Sequence, residues 1–136
     1  MSAEFIDTNI LIYAHDISSG IKHHRSIELM ERLAIEGSGA LSLQVLSEFY
    51  SNVTGKFGMR SKLAEEIVSD LSGWMVHRPA FPDLIRGIEL HRRYNINWWD
   101  ALILNSALEL GCRVLWSEDF SNGQQYGSVT VRNPFL

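Results

Sequence analysis

The chain holds a single cysteine, Cys112, so it can form no internal disulfide. It also has no Cys/His set at zinc-ligand spacing; His23 and His24 are adjacent and read as surface residues. Its stability must therefore come from a packed core, which 136 residues are enough to build. Prolines number only three, leaving long stretches open to regular structure. No apolar run approaches about 20 residues, so no membrane-crossing helix is expected. The first residues lack a basic region followed by an apolar stretch, so no signal peptide is expected and a reducing cytoplasm suits the chain. No repeat, low-complexity tract or linker appears, which implies one domain over residues 1–136. Basic residues are scarce as well: 12 Lys and Arg face 16 acids, for a net charge of −4. Nucleic-acid binders are often basic. The balance counts against that class unless several acids hold cations, which would reverse the local sign.

What is present is an alternation of short apolar runs and helical periodicity. Strands are expected over 3–6, 40–42, 75–77, 113–116 and 129–131. Helices are expected over 8–14, 26–36, 43–54, 82–94 and 98–110, with another placing Leu63, Ile67, Leu71 and Trp74 on one face. The 26–36 helix should present Ile27, Met30, Leu33 and Ala34 to the core, and the 98–110 helix is apolar nearly all round, which implies central burial. The pattern predicts an α/β fold with three layers, α/β/α, and a mostly parallel sheet of about five strands. Ligands of such sheets sit beyond the carboxyl ends of the strands.

Four acids lie near element ends at that edge. Asp7 follows the first strand and precedes Thr8 and Asn9; helix capping alone would account for it, with Thr8 or Asn9 as the alternative cap if Asp7 is a ligand. Glu48 falls opposite the stripe Leu46, Phe49, Tyr50 and Val53, on a face with Gln44, Ser47, Ser51 and Asn52 that carries no other charge. A solvated face is the plain reading, yet such faces usually mix charges. Asp100 opens the buried helix and shares a side with Ile103, Leu104 and Ala107, where an unpaired carboxylate costs several kcal/mol. Asp119 lies in a polar turn after a strand, where an ordinary turn role would account for it; its neighbour Glu118 is the alternative fourth acid. Carboxylates packed closely cannot all stay ionised unaided. An all-oxygen site resolves this by binding Mg²⁺ or Mn²⁺, one or two ions.

The segments around these acids resemble those of PIN domains. Phe5-Ile6-Asp7-Thr8-Asn9 is similar to the opening of that family, Leu46-Ser47-Glu48-Phe49-Tyr50 to its second acidic motif, Trp99-Asp100-Ala101 to its third, and Ser117-Glu118-Asp119-Phe120 to its fourth. The resemblance spans essentially the whole chain. It implies a Mg²⁺- or Mn²⁺-dependent ribonuclease with Asp7, Glu48, Asp100 and Asp119 as metal ligands and catalytic groups. Thr8, Asn9 and Ser117 would be their supporting polar residues. Many small bacterial members are VapC-type toxins of toxin–antitoxin pairs, which implies RNA as substrate, a protein antitoxin as partner and a homodimer. The segment from Gln124 to Phe135 is also similar to PIN proteins known only as nucleic-acid-binding.

An RNA path needs positive charge. Lys56, Arg60 and Arg25 are the foremost candidates, with Lys22 and Lys62 beside them and Arg92 and Arg93 behind; ordinary solvated surface is the alternative for each. Phe57 or Tyr126 would stack a base, or pack in the core. Two rivals remain. A phosphatase of the haloacid-dehalogenase kind would need a second Asp at position 9, where Asn stands. A non-catalytic PIN-like scaffold that binds RNA or protein would not need all four acids.

Overall fold

A computed structural model describes residues 2–136. Its strands are β1 (Glu4–Ile6), β2 (Gly39–Ser42), β3 (Met75–His77), β4 (Val114–Trp116), β5 (Gln125–Tyr126) and β6 (Val129–Arg132). Its helices are α1 (Thr8–Ala14), α2 (Ile21–Glu36), α3 (Leu43–Gly55), α4 (Ser61–Asp70), α5 (Phe81–Tyr94) and α6 (Trp98–Glu109). The sheet order is β3-β2-β1-β4-β6-β5. Every pairing is parallel except β5 with β6. The mostly parallel α/β architecture is thus as expected, with one more strand. Two-residue β5 is too short to leave a period in the sequence; it exists because Gly127, at φ 57°, turns the chain into a hairpin with β6.

The central strands are apolar on both faces because helices cover both. Phe5, Ile6, Leu41 and Leu115 are fully buried, packed with Ile10, Leu11, Leu33, Phe49 and Leu104 from the helices. α6 buries Ala101 and the whole run from Ile103 to Ala107, as its all-round apolar character required.

Three helical expectations need correction. α2 begins at Ile21, five residues ahead of 26, because Gly20 at φ 63° allows the chain to turn straight into it. Its buried positions are Ser26, Leu29 and Leu33, and Ala34 is exposed. α4 stops at Asp70 and a 3₁₀ turn spans Leu71–Gly73, so Trp74 leaves the helix. Ala64 is buried there while Leu63 is exposed. The Trp74 ring instead lies on the backbone of β2, where a Cβ on Gly39 would fall 2.4 Å from it. Only glycine permits that approach.

Asp83 was not anticipated. It is buried in the first turn of α5 and accepts from Ala80 N at 2.7 Å, which closes half a capping box; Ala80 has no oxygen to return. Asp83 also accepts from Asn105 at 3.0 Å and Arg86 at 2.9 Å, and lies 3.3 Å from His77 Nε2. Burial opposes its charge, but those donors prevail and hold its pKa at about 2. A depressed acid contributes stability that is complete above its unfolded value of 3.8 and is lost as pH falls toward about 2. Asp83→Asn should therefore cost on the order of 2–3 kcal/mol at pH 7 and remove part of the acid sensitivity between pH 4 and 2. Urea unfolding across that range checks it; an unaltered acid limb in the variant would refute the assignment.

Candidate metal centre

The first strand lies between β2 and β4, so the chain leaves β1 toward one side of the sheet and returns on the other. That arrangement opens a crevice at the carboxyl ends of β1 and β4. The register pairs Ile6 with Trp116, and Asp7 N donates to Trp116 O at 3.0 Å. Asp7 and Ser117 consequently leave the sheet side by side. Ser117 Oγ donates to Asp7 Oδ2 at 2.7 Å and also accepts from Asp119 N at 3.0 Å. One buried hydroxyl thus ties the first acid to the turn carrying the last.

Asp7 is itself the cap of α1: its Oδ1 accepts from Thr8 N at 2.7 Å. Capping and site membership are the same fact here, and Thr8 and Asn9 are released for other duties. Thr8 Oγ1 donates to Glu48 Oε1 at 2.8 Å, and Asn9 Nδ2 donates to Asp119 Oδ2 at 3.2 Å. Ser42 caps α3 and aims the Gln44, Glu48, Asn52 face at the crevice. Asn97 caps α6, leaving Asp100 in its first turn, where the helix dipole favours a carboxylate.

Asp7, Asp100 and Asp119 each bring one oxygen within 4.8 Å of the others. Glu48 stands outside this trio but lines the same cavity of about 130 Å³. Trp99 and Ile103 complete the walls, together with Gln44 and Asn52. Gln44 and Asn52 belong to the polar face of Glu48, whose uniform character left a cleft-lining reading open beside the solvated one; Trp99 and Ile103 were not expected as lining. Glu118 points away, paired with Lys22 Nζ at 2.8 Å and accepting from Tyr13 Oη. The structure therefore places Asp119, and not Glu118, beside the other acids. Burial opposes the charge of Glu118, but Lys22 and Tyr13 outweigh it and lower its pKa.

Among the described residues, none of Asp7, Glu48, Asp100 and Asp119 is ion-paired. Burial raises Asp7 to about 7, helped by the charges of Asp119 and Asp100 and opposed by Ser117 and Thr8. Burial, then the charges of Asp119 and Glu48, raises Asp100 to about 6. Asp119 is raised by burial and by Glu118, with Lys22 opposing. The donor set is all oxygen, compact and short of positive charge, which fits a hard divalent cation.

The expected basic residues separate. Lys22 is taken by Glu118, and Lys62 pairs loosely with Glu65 at 3.5 Å. Arg25 donates to Pro134 O at 3.3 Å and lines a different cavity with Arg32 and Trp116, not the acidic one. Lys56 is exposed and continues the 44, 48, 52 face by one more turn; Arg60 is exposed where α4 begins. Phe57 is exposed, whereas Tyr126 is a core residue stacked edge-on against Tyr94 and Phe120.

A family model for the PIN domain matches residues 5–121. No curated protein matches the chain. Solved structures do. A toxin–antitoxin complex from Klebsiella pneumoniae superposes with TM-score 0.69 at 23% identity, covering 97% of this chain and 98% of that one. VapC20 of Mycobacterium tuberculosis, a toxin that cleaves the sarcin–ricin loop, gives 0.68 at 16% identity over 86% and 90% of the two chains. VapBC2 of Rickettsia felis, bound to a DNA fragment from its promoter, gives 0.68 at 18% identity over 96% and 98%. At these identities the likeness is one of fold.

The raised acids make a stability prediction. Folded Asp7 holds its proton up to about pH 7, whereas the unfolded carboxyl releases it near 3.8. Between those values the folded state binds more protons, so the cation-free protein should lose stability as pH rises from 4 to 7. Urea unfolding in chelator at pH 5, 6 and 7 measures the slope, which Asp7→Asn should flatten. A cation-free protein equally stable across the range would contradict the geometry.

Proposed function

Because the chain belongs to the PIN domain family, we propose that it is a metal-dependent endoribonuclease, cutting single-stranded RNA with a Mg²⁺- or Mn²⁺-activated water. The observation that carries this reading is the convergence of Asp7, Asp100 and Asp119 within 4.8 Å, unneutralised by any side chain. One or two divalent cations, if held there, would supply Lewis acidity toward a water and the phosphodiester. Asp7, Asp100 and Asp119 would hold the cation, and Glu48 extends the acidic wall from α3. Ser117 fixes one Asp7 oxygen and Thr8 N the other, so that carboxylate has a single orientation. Asn9 Nδ2 holds one oxygen of Asp119, and Thr8 Oγ1 one oxygen of Glu48. These hydrogen bonds set ligand geometry before substrate arrives. Lys56 and Arg60, beyond the Glu48 face, supply positive charge to the phosphates.

The same reading makes the protein the toxin of a type II toxin–antitoxin pair, restrained by a protein antitoxin and acting as a homodimer. Two of its structural neighbours are toxin–antitoxin assemblies and a third is a toxin that cleaves the sarcin–ricin loop. No described helix is long and apolar enough to cross a membrane.

Two measurements test the chemistry. Cleavage of a labelled single-stranded RNA should stop in EDTA and return with Mn²⁺ or Mg²⁺. Asp7→Asn and Asp100→Asn should lower kcat/KM by at least about a hundredfold, while Ser117→Ala and Asn9→Ala should lower it by about 10–100-fold. Activity that survives chelation, or aspartate variants as active as wild type, would end the proposal. Charge removal at Lys56 and Arg60 should leave metal dependence intact. It should reduce the slope of log K against log salt for single-stranded RNA by about 1.4, because two fewer phosphates are neutralised; an unchanged slope excludes that pair.

A further inference from the structure

A second cavity, of about 420 Å³, opens next to the acidic one. Gln44 lines both, its Nε2 donating to Trp99 O at 3.4 Å. α6 runs beneath the two. Asp100 and Ile103 face the acids, and Leu102, Asn105 and Ser106 face the second cavity. Asn105 follows Asp100 by five residues, about 7.5 Å along the helix. One nucleotide can reach from the first cavity into the second.

The lining has the mixed character that a nucleobase requires. Leu84, Leu102 and Pro79 form apolar walls, and Phe81 stands at the rim with 72% of its surface exposed. The base of the cavity is polar. Asn105 is buried, donates through Nδ2 to Asp83 at 3.0 Å, and presents an Oδ1 that accepts no hydrogen bond among the described residues. Ser106 Oγ is 2.8 Å from His77 Nδ1. The one acid here, Asp83, is already engaged by Arg86, His77 and Ala80 N, so it does not repel a phosphate as a bare carboxylate would.

We propose that this cavity is a subsite for one unpaired nucleobase, stacked on Phe81 and read at its edge by Asn105, beside the phosphodiester cut at the acids. The proposal rests on the nuclease reading and adds what that reading lacks, a source of sequence or single-strand preference. A protein partner is the competing occupant, since Leu84, Ile85 and Ile88 continue an exposed apolar stripe along α5. The polar base of the cavity and its continuity with the acidic crevice favour the nucleotide; a helix seated on the stripe would leave Asn105 without a partner.

The test uses the full chain and a single-stranded RNA cut at one mapped bond, prepared as a series with one abasic position moved along it. One position flanking the cut should lower kcat/KM about tenfold or more, the worth of a stacked base. Phe81→Ala should show the same loss on intact RNA and no further loss on that abasic RNA; Phe81→Tyr should restore the wild-type value. Phe81 is exposed, so its replacement does not threaten folding. A flat abasic scan, or penalties that simply add, overturns the subsite. So does a Phe81→Ala variant that changes the sedimentation of the protein and not its abasic profile, which would assign the face to a protein. Fluorescence anisotropy of the same labelled RNAs on Asp100→Asn protein is measured in parallel. Should wild type cut no RNA, the nuclease reading fails there, and the subsite is judged separately by whether Phe81→Ala weakens binding of intact RNA alone.

Discussion

The structure depends on one constraint: a carboxylate buried at the junction of β1 and β4, with two others within 4.8 Å and no positive side chain paired to it. Asp7 cannot be moved. It caps α1, its own N–H joins the loop to β4, and its second oxygen is held by Ser117. The fold therefore forces charge into a place that disfavours it. Burial opposes the charge of Asp7, and the all-oxygen donors gathered around it fit an oxygen-ligated cation.

The other two buried acids make the contrast plain. Glu4 is as buried as Asp7, but Arg32, Arg113 and the Trp116 indole converge on it, and its pKa falls. Asp83 is likewise surrounded by donors and is lowered. Asp7 and Asp100 are raised. The same chain thus satisfies a buried carboxylate with its own cations where structure is the purpose, and leaves the crevice acids without them. The negative net charge is consistent with this division, since part of the acid excess is gathered in the crevice without paired cations.

Much of the fold was legible because its signals are local. The all-round apolar character of α6 announced its burial, and Asp7-Thr8-Asn9 announced a helix start. Other features were invisible because they are settled by distant partners. The start of α2 depends on a positive-φ glycine; the loss of Trp74 from α4 depends on β2 offering a glycine surface for the ring; β5 exists only as a hairpin partner of β6. The basic residues behaved in the same way. Arg25 and Lys22 were indistinguishable from Lys56 in sequence, yet the fold commits one to Pro134 and one to Glu118.

Taken alone, the sequence determined the class of fold, and it pointed to the sheet edge and to Asp7, Glu48 and Asp100, with the fourth acid left open between Glu118 and Asp119. Periodicity and short motifs encode those things within a few residues. Only the tertiary structure decided that Asp119 rather than Glu118 joins the aspartates, that Glu48 lines the same cavity outside the close trio, and that a second cavity shares Gln44 with it. Each of those is a matter of which side chains from remote segments arrive within a few ångströms of one another. Hydrogen-bond and ion-pair energies fall off over that distance, so no local pattern in the chain records it.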